Sequence, residues 1–220
     1  MGYKKTILII GLLLVILIPN PGVSQVQKEI QAKVPGGKGI PATEPDKDFQ
    51  KARKSFLKKD LKSSAEAIRK GAAYLKSVGE QAEEGGKQAF LVSMQELEKL
   101  ADRVEKGTIT SVKELDQAFA RAHHVMAQHH YLRATESWTK KETLKVGQEL
   151  KAASRHLERG VKHVGGKVRN DVKPVIKDTR FLARKLIKGT GWVDAEVERG
   201  IKALGLEIDK LGEKVKAAKK

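Results

Sequence analysis

The segment that decides the fold is YLRATESWTKKETLKVGQELKAASRHLE, residues 131–158. Its first part places Tyr131, Ala134 and Trp138 three and four residues apart, which is the spacing of one face of an α-helix. A charged run at residues 140–142 interrupts this stripe, and a second stripe, containing Leu150 and Leu157, follows it. The segment therefore predicts two antiparallel helices joined by a tight turn.

An earlier segment repeats this pattern. FQKARKSFLKKDLKSSAEAIRKGAAYLK, residues 49–76, aligns with residues 131–158 at a constant offset and without a gap. Aromatic, small, turn and aliphatic positions correspond in register: Phe49 with Tyr131, Ala52 with Ala134, Phe56 with Trp138, Asp60 with Glu142, Ile68 with Leu150 and Leu75 with Leu157. One hairpin cannot bury its own apolar faces, so the repeat predicts two similar hairpins packed as a bundle.

Helical periodicity extends over almost all of the chain from Asp46 onward. The first helix should begin near Asp46, and the helix after the first hairpin should end at Gly107. The next should start with Thr110 or Ser111 as its cap. Pro174 should kink or interrupt a later helix, because proline lacks the N–H that a helix interior needs. The predicted fold is an all-α antiparallel helical bundle of two similar hairpins plus a long amphipathic C-terminal helical extension.

The chain divides by composition into four parts. Residues 1–24 have a basic head, an apolar run at residues 7–18 and then prolines and small residues, the pattern of a signal peptide cleaved near Ser24. That run would reach ~18 Å as a helix, short of a ~30 Å bilayer core, although an uncleaved anchor is the alternative. A flexible linker (25–45), a helical bundle domain (46–188) and a basic amphipathic C-terminal helix (189–220) follow. We expect an exported protein, periplasmic or secreted.

Composition limits the chemistry. The 220 residues include no cysteine, which excludes disulfides, thiolate metal sites and a cysteine nucleophile. No nucleophile motif or phosphate-binding loop is visible, so we expect no enzymatic activity. The formal net charge of +17 favours anionic partners, which are lipid headgroups, acidic polymers or acidic proteins. Because the chain should be exported, no nucleic acid partner is expected; the alternative is a basic surface that only contacts water.

Histidines cluster in ARAHHVMAQHHYLRA, residues 120–134. On a helical wheel, His123 and His130 face the bundle interior and His124 leans toward solvent. If the chain turns at residues 140–141, His156 lies opposite His123, so His123, His130 and His156 could form one pocket. Neutral imidazoles bind transition metals or haem iron. The alternative is a set of hydrogen-bonded core histidines that respond to pH. In that case we expect no bound cofactor.

The C-terminal third carries a cationic stripe beside an apolar one. A basic amphipathic helix can lie on an anionic membrane surface, anchored by aromatic side chains. The residues expected to bind the membrane in that way are Lys173, Lys177, Arg180, Phe181, Arg184, Lys185 and Trp192. The same apolar stripe could instead dock on its own chain or on a second copy in a homodimer.

Two short stretches, ARKSFLKKDLKSSAEAI and ATESWTKKETLKVGQEL, have the form of an aromatic position, a charged turn and an Ala-rich helix. In this the chain resembles the YfdX-like family of exported bacterial helical proteins, over less than a fifth of its length. It departs from that family in having lysine where glycine often precedes the turn acid. The resemblance implies a periplasmic protein with a stress-related or chaperone-like role, and it assigns no catalytic residue.

These observations lead to one expected function and two alternatives. The expected function is a non-enzymatic interaction or chaperone-like stress protein that binds acidic or partly unfolded partners. The first alternative is a metal or haem carrier that uses the three histidines. The second is a peripheral membrane protein that binds an anionic surface through its basic C-terminal helices.

Overall fold

The apolar stripes fold into helices throughout the part of the chain that the computed structural model describes, residues 45–165 and 170–217. No strand occurs in that part, and the predicted all-α bundle is confirmed. The predicted signal peptide and residues 25–44 of the predicted linker lie outside the described residues. The helices are α1 (Asp46–Leu57), α2 (Leu61–Gly79), α3 (Glu84–Glu105), α4 (Val112–Thr139), α5 (Thr143–Gly165), α6 (Val172–Lys188) and α7 (Asp194–Ala217).

The two predicted hairpins are α1–α2 and α4–α5, and their turns have the same geometry. Lys59 and Lys141 occupy equivalent positions and both have a left-handed backbone, with φ of 62° and 59°. The amide of Asp60 donates to the carbonyl of Ser55 at 3.0 Å, and the amide of Glu142 donates to that of Ser137 at 2.9 Å. This six-to-one hydrogen bond closes a Schellman turn, which satisfies the last helical carbonyls and reverses the chain.

Each turn has a lysine at its left-handed position, where glycine would make the protein more stable. The left-handed backbone crowds a Cβ atom, whereas glycine adopts it freely. We expect Lys141→Gly to raise the free energy of unfolding by roughly 0.5–1 kcal/mol, measured by urea denaturation. Lys140→Gly is the control, since Lys140 has φ of −83° and should gain nothing. A destabilised Lys141→Gly protein would contradict this account of the turn.

Two apolar clusters form the core. The first lies among α1, α2, α3 and the first half of α4, and its largest fully buried side chains include Phe49, Phe90, Phe119, Leu75 and Leu97. The second lies among α4, α5, α6 and α7, with Leu150, Leu157, Leu186 and Leu204. Because α4 belongs to both clusters and pairs most extensively with α5, the α4–α5 hairpin joins the two halves of the core.

The interruption expected at Pro174 occurs before it. Helix α5 ends at Gly165 and α6 begins at Val172, which places Pro174 in the first turn of α6. The amide groups of a first helical turn have no intrahelical acceptor, so a proline there costs nothing and breaks no hydrogen bond. The prediction of a kink at Pro174 is therefore wrong in position, and proline starts a helix here.

The C-terminal helices dock on their own chain. Helix α7 packs against α4, α5 and α6 through an apolar stripe that is buried in the second cluster: Val197, Ile201, Leu204, Ile208, Leu211 and Val215. The apolar stripe of α7 is thus covered by its own chain. Within the described residues, no helix is long and apolar enough to span a bilayer.

Candidate functional site

A pair of buried histidines lies at the centre of the α4–α5 seam. His123 comes from α4 and His156 from α5, with side chains 0% and 1% exposed. Their Nδ1 atoms are 3.2 Å apart, and because a hydrogen bond needs one donor and one acceptor, only one of the two can carry the shared hydrogen. The pair is therefore held together by one hydrogen bond in the interior.

Two further imidazole rings extend this pair into a stack. His163 stacks on His123 with ring centroids 5.7 Å apart, and His130 stacks on His156 at 5.5 Å. The central rings stack on each other at 5.5 Å. We call the four residues the histidine column, in the order His163, His123, His156 and His130. It follows the seam between α4 and α5, with alternate rings supplied by the two helices.

At each end of the histidine column, the last imidazole ring is within hydrogen-bonding distance of a carboxylate. Nδ1 of His163 is 2.9 Å from Asp116 Oδ1, and Arg53 Nε donates to the same carboxylate at 3.0 Å. Burial raises the pKa of Asp116, but the hydrogen bonds from His163 and Arg53 outweigh it and hold that pKa below its ordinary value.

The other end is built in the same way. Nδ1 of His130 is 2.7 Å from Glu149 Oε2, while Arg133 Nε donates to Oε1 at 2.9 Å. Hydrogen bonds from these two residues hold the pKa of Glu149 below its ordinary value, against the effect of burial. Both ends of the column are thus ionised carboxylates shared between a histidine and an arginine.

The central rings favour their neutral form. Burial holds the pKa of His123 and of His156 well below the ordinary value of 6.5, because a charged ring there would lose its hydration. The charges of neighbouring histidines and of Arg159 act in the same direction. The centre of the column therefore resists protonation.

One orientation of hydrogens fits the charges around the central pair. Nε2 of His123 has no hydrogen-bond partner among the described residues, but it lies 3.6 Å from Asp46 Oδ1. If His156 carries the hydrogen on Nδ1 and donates it to His123, then His123 carries its own hydrogen on Nε2 and directs it at Asp46. The reverse arrangement would aim a bare lone pair at a carboxylate, so we assign the first.

The structure brings together the predicted His123, His130 and His156, and it adds His163. His163 of α5 lies beside Asp116, Phe119 and His123 of α4. Its spacing of seven residues from His156 was the available signal. Of the residues described, no group of three or more histidines, cysteines or carboxylates is arranged to hold a metal ion. The third predicted ligand, His130, directs Nδ1 at Glu149 instead of at His156.

His124, predicted to lean toward solvent, is only partly exposed. Helix α7 covers it, and a Cβ atom built on Gly212 of that helix would come within 2.6 Å of His124 Nε2. Burial lowers the pKa of His124. A helical wheel of α4 alone could not predict this burial of His124, because the helix that covers it, α7, lies far along the sequence.

A second candidate feature is the outer side of α6. Its 17 residues contain six basic residues and one acidic residue, a net charge of +5, whereas α7 contains five basic and six acidic residues. Six side chains on one side of α6, of which Arg180 is partly exposed and the other five are exposed, form what we call the basic face: Lys173, Lys177, Arg180, Phe181, Arg184 and Lys188. The positive charge predicted for the C-terminal region is concentrated on this face.

Two of the seven residues predicted to bind a membrane do not belong to the basic face. Lys185 binds both carboxylate oxygens of Glu196 at 2.7 and 2.9 Å. Trp192 is only partly exposed and packs edge-on against Trp138, with ring centroids 5.9 Å apart. Phe181 remains 52% exposed, with Lys185 Nζ 4.9 Å from its ring centroid.

A cleft of about 220 Å³ lies along the basic face. Its lining combines one apolar residue, one carboxylate and four cations: Ile176, Glu158, Lys173, Lys177, Arg180 and Arg184. Glu158 of α5 accepts from Arg180 at 2.6 Å and lies 3.4 Å from Lys162. The described residues place no carboxylate in an ion pair with Lys177 or Arg184, so cationic groups remain available to an external anion.

Comparison with known proteins adds no assignment to either feature: no protein-family model, no curated protein and no solved structure matches this chain.

Proposed function

We propose that this protein is a non-enzymatic interaction protein that binds an acidic polypeptide segment through the basic face of α6. The observation that carries the proposal is the cleft on that face, which is lined by four cations and a single carboxylate. Carboxylate side chains of a partner would pair with the cations that Glu158 does not use.

The internal contact of Glu158 supports the choice of carboxylates as ligands. Its oxygens reach two cations at 2.6 and 3.4 Å, and these bonds hold the pKa of Glu158 below its ordinary value despite partial burial. The cleft thus already stabilises one ionised carboxylate. Lys177 and Arg184 extend the same arrangement along the helix at spacings of three to four residues, which suits an extended acidic chain.

The packing of α6 favours a polypeptide over a membrane as the partner. A helix that lies on a bilayer inserts its apolar side between the lipids. The apolar side of α6 is instead buried in the protein core, as shown by Val172, Ile176, Leu182, Ala183 and Leu186. Phe181 alone is left to insert, and one aromatic ring gives weak anchoring.

The role in the cell remains part of this proposal. A periplasmic or secreted location, with a stress-related or chaperone-like activity toward acidic or partly unfolded proteins, is consistent with the sequence pattern and with the YfdX-like resemblance. Capture of an acidic, unfolded segment needs an accessible cationic surface, which the basic face supplies.

Binding of a fluorescently labelled oligoglutamate peptide, followed by anisotropy, tests the proposal. We expect the triple variant Lys173→Gln, Lys177→Gln, Arg184→Gln to weaken binding about tenfold, which lies within the range that three exposed ion pairs of ~0.2–1 kcal/mol each can give. Binding should also weaken with added salt.

The matched control removes the same charge from α2, in the variant Lys62→Gln, Lys70→Gln, Lys76→Gln. These lysines are exposed on another helix, and their loss should change affinity less than about threefold. Equal weakening by the two variants would reduce the effect to net charge and overturn the site. Binding to phosphatidylglycerol vesicles that requires the basic face, without binding of the peptide, would replace the acidic polypeptide with a membrane surface.

A further inference from the structure

We propose that the histidine column is a pH-responsive device that loosens the α4–α5 seam on mild acidification. The column runs through the most extensive helix pairing of the described chain, and its centre is a pair of rings held together by one shared hydrogen. This inference concerns the interior and is independent of the binding proposed for the basic face.

The geometry of the central pair makes it sensitive to protons. If His123 and His156 were both charged, each Nδ1 would carry a hydrogen, and two N–H groups would face each other across 3.2 Å. The attraction that now joins α4 to α5 would become a repulsion at the same place. Since both rings are buried, no water is at hand to screen that repulsion.

The carboxylates around the column are already neutralised by arginines. Three carboxylates face the column, and each is already paired with an arginine: Asp46 with Arg159 at 2.9 Å, Asp116 with Arg53 at 3.0 Å and Glu149 with Arg133 at 2.9 Å. A fourth arginine, Arg155, also acts on His156. The groups that face the column from α1, α4 and α5 thus total three carboxylates against four arginines before any imidazole is protonated.

The sign of the pH effect follows. Burial holds the pKa of both central rings well below 6.5 in the folded chain, whereas the unfolded chain binds protons near 6.5. Below that pH the unfolded state therefore binds more protons than the folded state, and stability falls as pH falls. Two such rings raise the unfolding equilibrium constant about 100-fold for each pH unit in this window.

The test is urea unfolding of the full chain at several pH values between 8 and 5. We expect wild-type stability to fall steeply below about pH 6.5, and the double variant His123→Asn, His156→Asn to lose about 100-fold per pH unit of that dependence. Asparagine keeps a hydrogen-bonding group near Nδ1 and cannot become charged. The control His124→Asn removes a histidine of α4 that lies outside the column, and it should remove about tenfold per pH unit at most.

A second measurement uses the wild-type chain, in case the double variant does not fold. Nitrogen NMR of labelled imidazoles should show the central rings neutral in the folded protein, with Nδ1 of one protonated and Nδ1 of the other bare. Wild-type stability that is flat from pH 7 to 5, a double variant that keeps the full pH dependence, or central rings that both take up protons while the chain stays folded would each overturn the proposal.

Discussion

Phe49→Ala is expected to lower the free energy of unfolding by about 3–5 kcal/mol. Phe49 is fully buried, stacks on Phe119 with ring centroids 4.4 Å apart and meets His123 edge-on at 5.4 Å. Its ring also fills the space left by the missing side chain of Gly71, where a Cβ atom would overlap it. Truncation would leave a cavity among α1, α2 and α4 that the backbone cannot close.

Phe181→Ala makes the same chemical change on the surface and is the matched control. Phe181 is 52% exposed, so its loss should cost less than about 0.5 kcal/mol. Urea denaturation of both variants at pH 7.5 gives the comparison. A similar loss for the two would mean that α1 is not part of the core. Because the cavity adjoins His123, Phe49→Ala should also admit water to the ring and weaken the pH dependence.

Gly147→Ala is the second large effect, an expected loss of about 2–3 kcal/mol. A Cβ atom at this position of α5 would lie 2.8 Å from the carbonyl oxygen of Ala183 and 3.0 Å from the amide nitrogen of Ile187, both in the backbone of α6. Backbone atoms cannot rotate away as a side chain can, so α5 and α6 would have to separate.

Gly85→Ala controls for the helix propensity of alanine. Gly85 lies in the first turn of α3, and a Cβ atom there meets nothing within 4 Å. This variant should gain about 0.5–1 kcal/mol, since glycine loses more backbone freedom on folding than alanine. Thermal denaturation followed by circular dichroism measures both changes. A stabilised Gly147→Ala protein would show that α5 and α6 are not in close backbone contact.

The helices and turns could be predicted because their causes are local. The stripe of Ala134 and Trp138, the charged run before Glu142 and the repeat at residues 49–76 fix the period and the reversal of the chain, and the two turns share the same hydrogen bonds. The opposition of His123 and His156 follows from the position of one turn, which sets the height of every residue on the following helix.

The ends of the histidine column could not be predicted in the same way. Asp116 and Arg53 meet at His163 although they are 63 residues apart, which requires the crossing of α1 over α4. Glu149 lies less than one helical turn from the position opposite His130, so its position along the seam could be predicted from the sequence. The direction of its side chain could not, because it depends on how α5 is rotated about its own axis. The helical period shows which residues share a face of a helix, whereas the packing of the helices determines which residues that face contacts.

The basic face, too, could be predicted from the sequence only in part. Its charge and spacing were visible in the sequence, yet the sequence could not tell which of those cations stay exposed. Lys185 pairs with Glu196 and Trp192 packs on Trp138 because α7 folds back against α4, α5 and α6. By itself, the sequence determined an all-α chain of two matching hairpins, since helical period and turn chemistry act within a few residues. The tertiary structure alone decided which side chains are buried, paired or free, because those properties depend on helices that are distant in the chain and adjacent in space.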